Sequence, residues 1–180
     1  MRGMELRTVR LVLREFRLDD EVAVHRYGSD EEVTRYLTWG PNSPSDTAAY
    51  LKQVVREGAR EPRTSFTLAV ATLDDELIGV ANLTTTDTQS TSELGYVLSR
   101  ESWGHGYATE VARRLIVFGF EELALRRITA TCHPDNFASA RVLEKAGLRF
   151  EGTLRDPLRV REGWRLFAIA VGDEVAGHPG

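Results

Sequence analysis

The chain of 180 residues holds one cysteine, Cys132, which excludes an internal disulfide and a thiolate cage for a metal. It has no basic surplus: 23 lysines and arginines stand against 27 aspartates and glutamates, a net charge of −4. A nucleic-acid binder ordinarily shows the opposite balance, so no nucleic-acid partner is expected. Long apolar runs are missing too. The stretch MRGMELRTVRLVLREF interrupts its hydrophobic residues with charges, so it lacks a signal-peptide core, and no later segment reads as a membrane span. The expectation is a soluble, cytoplasmic protein. Repeats, low-complexity tracts and Ser/Gly linkers are also absent. One domain over 1–180 is expected, with its core at about 6–172 and a flexible tail at 173–180.

What is there is ordinary globular material, 42% hydrophobic and 28% charged, sufficient for a core. Alternation over 6–16 predicts a strand. Asp19 and Asp20 can cap a helix to about Tyr27, and Ser29 with Asp30 a second helix ending near Leu37. The breakers at 39–44 predict a loop, and 46–60 a helix with Ala49, Val54 and Val55 inward. Strands at 66–72 and 77–84 form a hairpin. In 92–99, Leu94, Tyr96 and Leu98 share one strand face, while Glu93, Gly95 and Val97 share the other. A helix to about Leu123 follows Trp103–Gly106, with Ala108, Val111, Ala112 and Leu115 inward. The strand 128–132 precedes a helix over 134–146 that Gly147 closes in a left-handed conformation. Strands at 149–155 and 164–171 complete a mixed α/β (α+β) pattern around one sheet.

The main chemical signal lies at 94–109, where a strand ends, a loop with paired glycines follows and a helix begins. Gly104 and Gly106 remove side chains, so the backbone can press against a bulky anion. The helix N-terminus offers unpaired N–H groups and partial positive charge, which suits a phosphate, and Thr109 adds a hydroxyl donor. A Gly-x-Gly loop also serves as a plain strand-to-helix turn. Neither GxxxxGK[ST] nor GxGxxG is present, since Thr109 stands where the third glycine belongs.

Trp103-Gly104-His105-Gly106-Tyr107-Ala108 resembles the Q/R-x-x-G-x-G/A signature of the GNAT N-acetyltransferases. The RimJ/RimL-like branch, which acetylates amines such as protein N-termini, is similar also at RLVLREFRLDD, at Glu93-Leu94-Gly95-Tyr96, at WGHGYATE, and at Asn136-x-x-Ser139 followed by Glu144-Lys145-Ala146-Gly147. The resemblance covers about residues 9–172. It implies the GNAT fold, a mixed central sheet flanked by helices, with acetyl-CoA between two splayed parallel strands. These are the strand ending near Leu98 and the strand 128–132. The pyrophosphate is then expected on the N–H groups of Gly104, His105, Gly106, Tyr107, Ala108 and Thr109, with Trp103 at the head of the signature. The pantetheine is expected along the edge at Leu98, with Asn136 and Ser139 facing it and the thioester sulfur. Trp103 replaces Gln or Arg, and His105 replaces a common Lys or Arg. Losing that fixed charge weakens phosphate affinity, and makes it pH-dependent if His105 titrates.

Acetyl transfer needs a neutral amine. Under about one lysine amine in a thousand is neutral at pH 7, against roughly a tenth of α-amines, so a terminal amine needs less help. The resemblance makes Glu93 the base, directly or through water, and Ser139 the donor to the leaving thiolate. The tyrosine that some GNAT enzymes use for that purpose is replaced by Leu143. Trp39 and Trp164 line the acceptor pocket by analogy. Cys132 reads as core packing, His133 as turn chemistry before Pro134, and His25 and His178 form no constellation, so no metal is assigned. The resulting expectation is an amine N-acetyltransferase that uses acetyl-CoA without a covalent intermediate, acting on a protein N-terminus or a small amine. Homodimerisation is what similar enzymes suggest. The alternative is a non-catalytic acyl-CoA sensor.

Overall fold

The computed structural model describes residues 4–85, 90–156, 158 and 160–173. His178 and the expected tail beyond Asp173 lie outside them. The first predicted strand is in fact a hairpin, β1 (Glu5–Arg7) against β2 (Leu11–Arg14), turning at Thr8, Val9 and Arg10. The turn closes through a Thr8 N–H to Leu11 carbonyl bond of 3.0 Å and carries no glycine or proline, the usual sequence signals for a break.

Helices α1 (Glu21–Gly28), α2 (Glu31–Thr34) and α3 (Pro44–Gly58) follow. Asp30 caps α2 by accepting from the amides of Glu32 and Val33, but α2 is shorter than its pattern implies. Ser43 and Asp46 form a reciprocal capping box at the start of α3. The buried positions of α3 are Thr47, Leu51 and Val54; Ala49, predicted inward, is exposed, because the packed stripe falls two residues away. Strands β3 (Ser65–Thr72) and β4 (Leu77–Thr85) make the predicted hairpin, followed by β5 (Thr91–Leu98). Helix α4 (Tyr107–Val117), strand β6 (Arg127–Cys132), helix α5 (Phe137–Ala146) and strands β7 (Arg149–Thr153) and β8 (Arg165–Ala170) complete the chain. Gly147 closes α5 at φ +105°, as the sequence predicts, and the Leu148 N–H reaches back to the Leu143 carbonyl at 3.0 Å.

The eight strands form one sheet in the order β1-β2-β3-β4-β5-β6-β8-β7. Every neighbouring pair is antiparallel except β5 and β6, which are parallel and pair at only three positions: Thr91 with Arg127, Ser92 with Ile128, and Glu93 with Thr129. Beyond Glu93 the two strands keep to their outer partners. β5 stays with β4 as far as Leu98 opposite Gly79, and β6 stays with β8 as far as Cys132 opposite Arg165. A fork therefore opens in the middle of the sheet. Helices α4 and α5 cover one face, burying Val111, Leu115, Ile116 and Leu143 against Leu68, Leu83, Leu94 and Ile128. Helices α1 and α3 cover the other, where Val24, Tyr27, Leu51 and Val54 meet Phe16, Ala69 and Val80.

One charge pair lies deep in this second layer. Arg14 on β2 donates two bonds to Asp20, at 2.9 and 2.8 Å, with both side chains more than nine-tenths buried. Its Nε binds Asp75 in the β3–β4 turn at 2.8 Å. The Asp20 hydrogen bond raises the Arg14 pKa against the opposing effect of burial, so the guanidinium stays charged. Arg14 and then Arg17 lower the pKa of Asp75. Its contribution to stability is thus present above the ordinary carboxylate range and is lost as pH falls through that lowered value. Asp20→Asn leaves Arg14 without its buried partner and should cost about 3 kcal/mol in urea unfolding. Asp75→Asn, at a half-exposed site, should cost far less and flatten the acid limb of the stability profile.

Candidate active site

The glycine loop is held open by backbone conformation. Gly104 and Gly106 have φ of +77° and +79°, left-handed values that cost other residues about 1–2 kcal/mol. The first helical bond of α4 runs from the Glu110 N–H to the Gly106 carbonyl at 3.1 Å. The amides of Tyr107, Ala108 and Thr109 are left without helical acceptors. Trp103, Gly104, His105 and Gly106 are exposed, so these donors border solvent. A Cβ on Gly104 would meet nothing within 4 Å, so the position demands a residue tolerant of positive φ, and the surface beside these donors is bare.

What fixes the loop comes from the far end of the chain. Glu110 accepts from the Thr8 hydroxyl at 2.6 Å, the Arg10 amide at 2.9 Å and Arg10 Nε at 2.7 Å. Arg10 Nη1 also donates to the His105 carbonyl at 2.9 Å, and its guanidinium lies 4.6 Å above the Tyr107 ring. Burial by itself would raise the Glu110 pKa, but the Thr8 and Arg10 bonds outweigh it and the net shift is downward. The carboxylate therefore stays ionised at neutral pH, and the clamp weakens only as pH falls through that lowered value. His105 stacks on Tyr107, centroids 5.5 Å apart.

The Trp103 indole donates to the Leu98 carbonyl at 3.0 Å, tying the loop to the end of β5. The Ser99 N–H bonds Ile78 on β4 at 2.7 Å, so odd-numbered residues of β5 face β4. By the alternation of an antiparallel ladder, the peptide groups of Leu94, Tyr96 and Leu98 face the fork. Of the Leu98 peptide groups, the carbonyl is already engaged by Trp103.

The two sides of the fork carry different chemistry. On the α5 side, the Tyr96 hydroxyl lies 3.1 Å from Ser139 Oγ and 3.3 Å from the Ser139 carbonyl. Burial raises the Tyr96 pKa, with the Ser139 bond pulling the other way, so the phenol keeps its proton. Asn136 uses its Oδ1 to cap α5, accepting from the Ser139 amide at 3.0 Å, which leaves its Nδ2 as the group available to a ligand. Cys132 is buried in the core, and burial first of all raises its thiol pKa, which matches a packing role.

On the opposite side, Glu93 Oε1 accepts from Thr131 Oγ1 at 3.0 Å and from Arg161 Nη1 at 2.5 Å. Its Oε2 bonds no other described residue. His133 packs between Tyr36 and Trp164, with centroid distances of 5.1 and 5.9 Å, while its Nδ1 accepts from the Asp135 amide at 3.2 Å. Trp164 thus joins an aromatic wall. Trp39 stands in the 39–44 loop at 40% exposure, with no ring partner among the described residues. His25 bonds Thr47 at 2.9 Å, away from the fork.

Sequence reasoning missed Arg10, Glu110, Tyr96, Thr131, Arg161 and Tyr36 as site residues. The motifs RLVLREF and WGHGYATE contain the two halves of the Arg10–Glu110 clamp, so their joint presence was a signal. Arg161 lies outside every motif.

The acetyltransferase (GNAT) domain family matches residues 10–149. The N-acetyltransferase YnaD of Bacillus subtilis (strain 168) is 33% identical over 173 residues, covering 95% of this chain and 98% of its own. A GNAT-family acetyltransferase structure from Bacillus anthracis superposes with a TM-score of 0.80 at 31% identity, covering 93% of this chain and 98% of that one. The apo structure of RimL, a ribosomal L7/L12 α-N-protein acetyltransferase, gives 0.79 at 18% identity, covering 93% and 94%, a likeness of fold.

Arg10→Ala removes a charge-assisted bond from the loop and should weaken acetyl-CoA binding by roughly tenfold or more in calorimetry. Gly106→Leu combines a strained φ with a side chain on the cradle and should abolish binding in protein that still folds.

Proposed function

The chain belongs to the GNAT acetyltransferase family and is on that ground an N-acetyltransferase; from this premise we propose that it transfers acetyl from acetyl-CoA to a primary α-amine of a peptide N-terminus or small molecule. The observation that carries the reading is the fork, with a carboxylate on one side and a hydroxyl pair on the other. Acetyl-CoA supplies the activated acyl thioester. The amides of Tyr107, Ala108 and Thr109 hold its pyrophosphate, with Gly104 and Gly106 keeping the surface bare, and the edge formed by the Tyr96 peptide and the Leu98 amide aligns the pantetheine, with Asn136 Nδ2 offered toward it.

Glu93 Oε2 accepts the proton that the amine must lose, directly or through water, while Thr131 and Arg161 fix the carboxylate through Oε1. Ser139 Oγ donates a hydrogen bond to the departing sulfur, and Tyr96, protonated and bonded to Ser139, supports that donor. Trp164 and Trp39 border the acceptor. An α-amine is neutral roughly a tenth of the time at pH 7, which a single half-buried carboxylate can serve. RimL, which shares the fold, is itself an α-N-protein acetyltransferase, and this supports the same acceptor class.

Glu93→Gln should lower kcat by roughly 10²- to 10⁴-fold with acetyl-CoA affinity unchanged. Ser139→Ala should lower kcat while sparing the amine KM. Intact turnover in Glu93→Gln would remove Glu93 as the base. Saturable acetyl-CoA binding with no turnover of any amine, across terminal-amine peptides and small amines, would instead identify a binding module.

A further inference from the structure

We infer that the acceptor carries a carboxylate within a few bonds of the amine that is acetylated, and that Arg161 recognises it. The inference rests on the reading that Glu93 takes the amine proton, since Arg161 shares its site. A guanidinium has five N–H donors in a planar fork and meets a carboxylate best with two parallel bonds. Arg14 does this to Asp20 elsewhere in the molecule. Arg161 does not do it to Glu93. It donates through Nη1 alone, to Glu93 Oε1 at 2.5 Å and Thr131 Oγ1 at 3.1 Å. Its Nε and Nη2 bond no other described residue, and the side chain is 36% exposed. Among the described residues, the Nε–Nη2 edge of the guanidinium therefore has no partner beside the candidate base.

The backbone beneath Arg161 is built to hold it there. The Arg161 amide donates to Asp156 Oδ2 at 2.8 Å, the Asp156 amide to Glu162 Oε2 at 2.8 Å, and the Gly163 amide to the Leu154 carbonyl at 3.0 Å. These bonds at Leu154, Asp156, Glu162 and Gly163 hold the cation of Arg161 at Glu93, close in sequence to Trp164 of the aromatic wall. Glu93 Oε2 and the free edge of Arg161 form an acceptor and a donor pair joined by one hydrogen bond. Their complement is a molecule with an amine and a carboxylate close together: an α-amino acid or an N-terminal acidic residue. A polyamine or a lysine side chain offers the guanidinium nothing and sets a second cation against it.

The test compares matched probes in protein saturated with CoA: aspartate-first against asparagine-first dipeptide amides, and free amino acids against their amides. Binding is measured by calorimetry, and acetylation with acetyl-CoA is measured separately. The wild type should bind the carboxylate-bearing member of at least one pair about tenfold more tightly or better. Which pair discriminates identifies a side-chain or α-carboxylate. Arg161→Gln should bring that ratio near one, and Arg161→Lys, which keeps the charge but loses the fork, should retain only part of it. Equal binding in the wild type, no binding of either member of any pair, or a ratio unchanged in Arg161→Gln would each overturn the assignment. Discrimination in binding without acetylation of any amine would sink the catalytic reading and leave Arg161 standing. Acetylation without discrimination would do the reverse.

Discussion

The separation of β5 from β6 is the constraint on which the site depends. Two parallel strands in mid-sheet would ordinarily satisfy each other along their length, but these do so at three residue pairs and then follow their antiparallel partners. The consequence is a row of peptide groups turned toward a gap inside the fold. That gap has the glycine loop at one end, α5 on one side and Glu93 on the other. A covered sheet would have offered none of these to a ligand, because unpaired backbone is costly wherever water and partners are both excluded.

Three arginines show how the same side chain is used differently according to burial. Arg14 is sealed between layers and bound end-on to Asp20, a structural pair whose loss leaves the guanidinium only the half-exposed carboxylate of Asp75. Arg10 is half-exposed and spreads its donors over a carboxylate, a carbonyl and an aromatic face, so its effect is to fix a loop. Among the described residues Arg161 has the fewest partners of the three, and it stands where the chemistry is proposed.

The parts of the molecule readable in sequence were those set by local rules. The glycine loop, the cap at Asn136, the closure at Gly147 and the alternation of β5 all follow from residues within a few positions of one another. The family motifs extended that reading to the fork. What the sequence concealed depends on contacts across the chain: Glu93 meets Arg161 over 68 positions, and Tyr96 meets Ser139 over 43. Tyr96 was legible as sharing a strand face with Leu94 and Leu98, but nothing local told its hydroxyl where to point. The hairpin within 6–16 was missed because Thr8, Val9 and Arg10 carry no turn chemistry; their bond to Glu110 supports the reversal instead.

That bond also bears on the order in which the molecule can mature. Thr8 and Arg10 leave the ribosome about a hundred residues before Glu110, so the glycine loop cannot be locked until α4 has been made. The fixing of the glycine loop is in this sense a late property of folding, reached only when the β1–β2 turn is joined to a helix made about a hundred residues later.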